Sequence, residues 1–168
     1  MTGAEAIAAE IKRAGLLMVF SHAGGTISYL LECIDKAGIK VVVAVNEAQA
    51  VHMAQGAFRA TGKTQVAIVT SGPGVTNAIT GVADAFYDQD AIVLLCGQVS
   101  TNWMRKDEPI RQRGFQETPT VKLMEPISKA AALVLEHPGA WMAAALHQAG
   151  QPRPGPIVLD LPMDVLRA

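Results

Sequence analysis

A glutamate stands at an abrupt junction in VVVAVNEAQAVHMAQG, residues 41–56. The β-branched run ends at Val45. Glu47 then opens a segment of small apolar residues (Ala48, Ala50, Val51, Met53, Ala54) with no formal charge until Arg59. Desolvation favours the uncharged form of a carboxyl, and a glutamate in a dry place can give and take a proton near neutrality. The ordinary alternative is a first-turn acid held by the helix dipole. The apolar neighbours on both sides favour proton transfer.

The second stretch with chemical content is TSGPGVTN, residues 70–77. A strand end, two glycines and a helix start are the parts of a phosphate cradle. Yet no lysine follows, as a Walker A loop requires, and Asn77 stands where a dinucleotide fingerprint needs its third glycine. Pro73 also removes one backbone N–H. A tight turn leading into a helix is the plainer reading. His22 and His52 lie beside apolar segments and read first as structural, with a second role open, whereas His137 and His147 flank a late helix and read as surface residues. Trp103 and Trp141 read as packing or interface residues. Cys33 and Cys96 sit inside apolar segments without metal-ligand spacing, as buried free thiols of a reducing cytoplasm would.

These residues need elements to aim them. Helical periodicity covers 3–13, 27–38, 47–61, 75–87 and 138–149, and short apolar runs at 16–20, 41–45, 66–70, 91–97 and 157–161 read as strands. Runs that are apolar throughout are covered on both faces. Strand–helix alternation with glycine-bearing turns predicts a mostly parallel sheet between helix layers, one α/β three-layer domain over residues 1–168. Ligands of such sheets bind at the carboxyl ends of the strands. That gathers the SHAGG loop, the Asn46–Glu47 junction, the TSGPG loop and the charged irregular stretch 98–119 at one edge.

Bulk composition narrows the classes further. The 168 residues are 50% apolar and 17% charged, with a formal net charge of −1. An average domain is nearer ~25% charged, so part of this surface is expected to be covered by another chain. No basic stripe exists to hold nucleic acid. The N-terminal stretch lacks a signal-peptide pattern, and the longest apolar runs are far shorter than the ~18 residues of a membrane span. A cytoplasmic protein is expected.

Four motifs in order, NEAQAVHMAQGAFRATGK, VAIVTSGPGVTNAITGVADAFYDQDAIVLLCGQV, GFQE and PRPGPIVLDLPMDV, resemble one family. It is the N-terminal pyrimidine-binding (PYR) domain of thiamine-diphosphate enzymes, in the acetolactate synthase-like branch. The resemblance implies that Glu47 is catalytic, hydrogen-bonding N1′ of the cofactor's aminopyrimidine and exchanging a proton there. It implies that Thr70, Gly72, Pro73, Gly74 and Asn77 shape the cofactor pocket around Glu47, with no phosphate involved. Ala23, Gly24, Gly25, Asn46, Phe115 and Gln116 fall on the substrate side, and Glu117 completes the FQE motif. Asn46 stands where the family has histidine, and Ala23 where it has proline, so the substrate side departs from the pattern.

The family's diphosphate-binding (PP) domain carries a GDG motif, and none occurs here. The resemblance thus implies no metal ligands in this chain, with Mg²⁺ and the diphosphate held by a separate PP-domain subunit and two of each chain in the smallest unit. The implied reaction is decarboxylation of a 2-oxo acid followed by carboligation. Two alternatives stand beside it. One is the alpha subunit of a sulfopyruvate- or phosphonopyruvate-type decarboxylase, for which Arg105, Lys106, Arg111 and Arg113 would form a cationic pocket. The other is a PYR module that only binds a partner.

Overall fold

Apolar strands alternating with helices build, in a computed structural model that describes residues 1–106 and 108–168, a six-stranded sheet. The strands are β1 (Met18–Ser21), β2 (Lys40–Val43), β3 (Gln65–Val69), β4 (Ile92–Gln98), β5 (Ala130–Leu133) and β6 (Ile157–Pro162). All pair in parallel, in the order β2-β1-β3-β4-β6-β5. The helices are α1 (Gly3–Arg13), α2 (Ser28–Lys36), α3 (Glu47–Thr61), α4 (Pro73–Tyr87), α5 (Thr120–Met124), α6 (Pro138–Ala149) and α7 (Met163–Arg167).

Side chains of a strand alternate between faces, and here the alternation divides the core in two. Val66 and Ile68 of β3, with Val93 and Leu95 of β4, join Ile7, Ile34 and Met142 from α1, α2 and α6. Ala67 and Val69, with Ile92, Leu94 and Cys96, join Ala50, Val51, Val75 and Val82 from α3 and α4. The sheet is therefore sandwiched between two helix layers, as expected for the three-layer fold. Both cysteines are free and buried.

Local chemistry sets the helix ends. Asn46 caps α3, its Oδ1 accepting from Gln49 N at 2.9 Å, and Gly62 ends that helix at φ +68°, where a side chain would be strained. Thr2 and Glu5 form a reciprocal capping box on α1. Pro73 is the first residue of α4, two residues earlier than expected, where its missing N–H costs no helical bond.

Two expectations need correction. The run 41–45 reads as a strand covered on both faces, yet β2 ends at Val43 and lies at the sheet edge, with Val43 70% and Val45 81% exposed. An edge strand has a neighbour on one side only, so apolar composition does not guarantee cover. Three short elements, α5, β5 and α7, were not anticipated. Each spans only four or five residues, and the AAAL of β5 carries no strand signature of its own.

Candidate functional site

The chain order reverses between β1 and β3. From β1 it passes to β2 on one side, then crosses back to β3 on the other. Parallel sheets open a crevice at such a point, beyond the carboxyl ends of the strands. The loops after β1, β2 and β3 meet there, bringing together Gly24, Gly25, Glu47, Thr70, Gly72, Gly74 and Asn77.

Glu47 is the first residue of α3 and is only 9% exposed. Asn77, one turn into α4, donates from Nδ2 to Glu47 Oε2 at 2.7 Å. Among the described residues nothing donates to Oε1, and a Cβ built on Gly74 would lie 3.3 Å from it. One oxygen is thus held by a side chain of the neighbouring helix, while the other lies close to the α4 backbone at Gly74, an approach that the absent side chain permits. Oε1 is the carboxyl oxygen left to meet a ring nitrogen.

Close approaches tie the loops around it. A Cβ on Gly24 would meet Thr70 Cβ at 2.3 Å, and one on Gly72, at φ +65°, would meet Gln116 Cβ at 2.6 Å. Thr26 and Thr70 share a hydrogen bond at 2.8 Å, and Ser71 N donates to Thr26 Oγ1 at 3.1 Å. The FQE segment thereby lies against the TSGPG loop of its own chain. Gln116 adopts φ +60°, its N–H donating to Gln112 Oε1 at 2.9 Å. Phe115 projects outward, 80% exposed. Glu117 accepts from Arg105 N at 2.6 Å and Arg113 N at 2.9 Å, closing the charged loop on itself.

Other candidates lie apart from this centre. Ala23 is exposed on the loop after β1, and Asn46 is occupied as the cap of α3. His22 Nδ1 meets Ala44 O at 3.0 Å, a bracing contact between the β1 and β2 loops. His52 joins a surface network with Gln55 and Asp84. Three of the four loop cations, Arg105, Lys106 and Arg111, line one pocket together with Glu117 and Asp160, while Arg113 lines another with Glu108 3.5 Å away.

Sequence reasoning missed several neighbours. Thr26, Val99, Trp103 and Met163 share a cavity with Gly25, Thr70, Phe115 and Gln116. Thr26 follows directly on the glycine pair, which was a usable signal; Met163 had none. Asp160, on β6, was missed too. Its carboxyl is buried and pushed up to about 7 by that burial, against hydrogen bonds from Gln98 and Thr120, and its Oδ1 has no partner among the described residues. Burial and then Asp160 push the neighbouring Cys96 thiol well up.

A three-layer α/β domain with a buried glutamate at the switch point defines a class, and comparison with known proteins narrows it. Residues 1–124 match the family described as thiamine pyrophosphate enzyme, N-terminal TPP binding domain, and the chain belongs to it. The isozyme 3 large subunit of acetolactate synthase from Escherichia coli K12 is 39% identical over 169 residues, covering 99% of this chain and 28% of that protein. A probable acetolactate synthase large subunit of Methanocaldococcus jannaschii is 34% identical, covering 98% and 27%. The mouse 2-hydroxyacyl-CoA lyase 2 is 38% identical, covering 98% and 25%. The chain thus spans less than a third of the length of these relatives. Among the described residues no helix is long and apolar enough to cross a membrane, and no three His, Cys, Asp or Glu side chains gather as metal ligands.

The family implies thiamine diphosphate, and the donor set fits its ring end. Glu47 Oε1 has no donor among the described residues and is the oxygen available to a ring nitrogen, Asn77 fixes the second oxygen, and the absent side chain of Gly74 keeps a methyl from pressing on Thr70 and Oε1.

Proposed function

We propose that this chain is the pyrimidine-binding subunit of a split thiamine-diphosphate enzyme that acts on a 2-oxo acid in the cytoplasm. The observation that carries the reading is the Glu47 carboxyl: buried, anchored at Oε2 by Asn77, and without a donor at Oε1 among the described residues. Glu47 holds a proton at Oε1 and passes it to and from the aminopyrimidine nitrogen. Asn77 keeps the carboxyl aimed, and Gly74 leaves the ring its space. Thiamine diphosphate, when bound, supplies the nucleophilic carbon that attacks the substrate carbonyl. A separate PP-domain subunit holds the diphosphate and Mg²⁺, in an assembly with two of each chain. The reaction we favour is decarboxylation followed by carboligation, supported by the likeness to acetolactate synthases.

The decarboxylase alternative called for a cluster of cations around a second anionic group. Of the four loop cations only Arg113 reaches the cavity beside Thr70, and Glu108 lies next to it, so that alternative gains no support.

The test is CO₂ release from 2-oxo acids, with product analysis, by this chain mixed with a PP-domain partner, thiamine diphosphate and Mg²⁺. Glu47→Gln keeps the shape and removes the proton carrier. Turnover should fall by ~10²–10⁴-fold, the usual worth of a positioned acid–base group. Turnover unchanged in the variant would remove Glu47 from the mechanism. A partner complex that never turns over would favour the interaction module.

A further inference from the structure

Proton handling at Glu47 leaves the neighbouring cavity unexplained. Thr70 bridges the two, since a Cβ on Gly74 would lie 2.7 Å from Thr70 Cγ2 and 3.3 Å from Glu47 Oε1. From Thr70 the cavity extends over ≈ 560 Å³ as an open cleft, with Val99 and Met163 along it and the exposed rings of Trp103 and Phe115 at its rim. Its one charged wall residue among those described, Arg113, has the Glu108 carboxylate 3.5 Å away.

The wall is built rather than incidental. Asp164, next to Met163, accepts from both Thr101 N, at 3.0 Å, and Thr101 Oγ1, which ties the turn bearing Trp103 to α7. Although burial pulls the Asp164 carboxyl up, these bonds hold it below its ordinary value. On the far side, a Cβ on Gly114 would lie 2.8 Å from Val99 Cβ, so the 114–116 turn presses directly on the cavity wall.

We propose that this cavity receives the carbon chain of the substrate, and that the protein selects 2-oxo acids whose side chain is apolar and several carbons long. The inference rests on the reading that the site handles a 2-oxo acid. A methyl group would touch a small part of such a wall. Each further methylene taken from water onto it is worth about a three- to fourfold gain in affinity.

The test is a straight-chain series: pyruvate, 2-oxobutanoate, 2-oxohexanoate and 2-oxooctanoate. Binding is read from the fluorescence of Trp103, with Trp141→Phe removing the second of the two indoles. The dissociation constant should fall about three- to fourfold per methylene until the cavity is full. Met163→Gln, a near-isosteric polar change, should flatten that gradient. Equal affinity along the series, tightest binding of pyruvate, or no saturable response to any member would overturn the proposal. Failure of the functional reading shows elsewhere, as turnover indifferent to Glu47→Gln. A chain-length gradient in binding would then still establish the cavity's selectivity.

Discussion

Asn77 does at the residue scale what the sequence pattern assigned only loosely to a pocket. Its amide reaches Glu47 Oε2 from the next helix, and the distance of 2.7 Å fixes the rotamer of the acid. Positioning of this kind counts because a misplaced catalytic group loses much of its effect. Asn77→Ala is expected to lower kcat by about ten- to a hundredfold. The KM for the 2-oxo acid should change far less, and the melting temperature should fall modestly, since the buried Glu47 carboxyl loses its donor. A variant with kcat intact would mean that Glu47 is aimed by α3 alone. Gly74→Ala acts from the other side, with its new methyl 3.3 Å from Oε1 and 2.7 Å from Thr70 Cγ2. It should weaken thiamine-diphosphate binding, measured by activity against cofactor concentration.

Glu47 is only as well placed as α3, and at the element scale two features hold that helix. Near its start, a Cβ on Gly81 of α4 would lie 2.6 Å from Val51 Cβ and 3.3 Å from Ala48 O, so the helices touch through bare backbone. Gly81→Ala should cost about 1–3 kcal/mol by overpacking. It should lower activity too, since the displaced turn carries Glu47; urea unfolding beside the CO₂ assay reads both. Near its end, Arg59 binds Asp90 and Asp88, while Gln55 donates to Asp84 and Asp90. Asp90 is buried, so Asp90→Ala leaves Gln55 and Arg59 without their shared acceptor. A lower melting temperature with kcat little changed is expected, because this network lies at the end of α3 away from Glu47.

For the whole molecule, Asp160 links stability to pH. Unfolded, an aspartate titrates near 3.8, and in the fold burial raises this one to about 7. The folded state therefore binds more protons between those values. The stability contributed by protonated Asp160 is complete below the lower value and is lost as pH rises through the higher. The loss amounts to at most ~4 kcal/mol. Urea unfolding at pH 5 and pH 8 should show the decline, and Asp160→Asn, neutral at both, should abolish it. A decline that survives the substitution would assign it to another group.

Local chemistry wrote several parts of this protein into its sequence. Asn46, Gly62 and Thr2 act within a few residues of themselves, so α1 and α3 have the bounds that their patterns indicate, and so does α6. Apolar runs joined by glycine turns specify a parallel sheet between helix layers, and four ordered motifs specify the thiamine-diphosphate family. Tertiary structure decided the rest. Val41–Val45 reads like any buried strand, and only the strand order puts it at the edge. Asp160 sits in an ordinary strand sequence and becomes a perturbed acid because the fold buries it beside Gln98 of β4 and Thr120 of α5. Trp103 and Met163 share a wall because β4 pairs with β6 and Asp164 holds the turn between them. Such proximity comes from long-range pairing and burial, which no local spacing encodes.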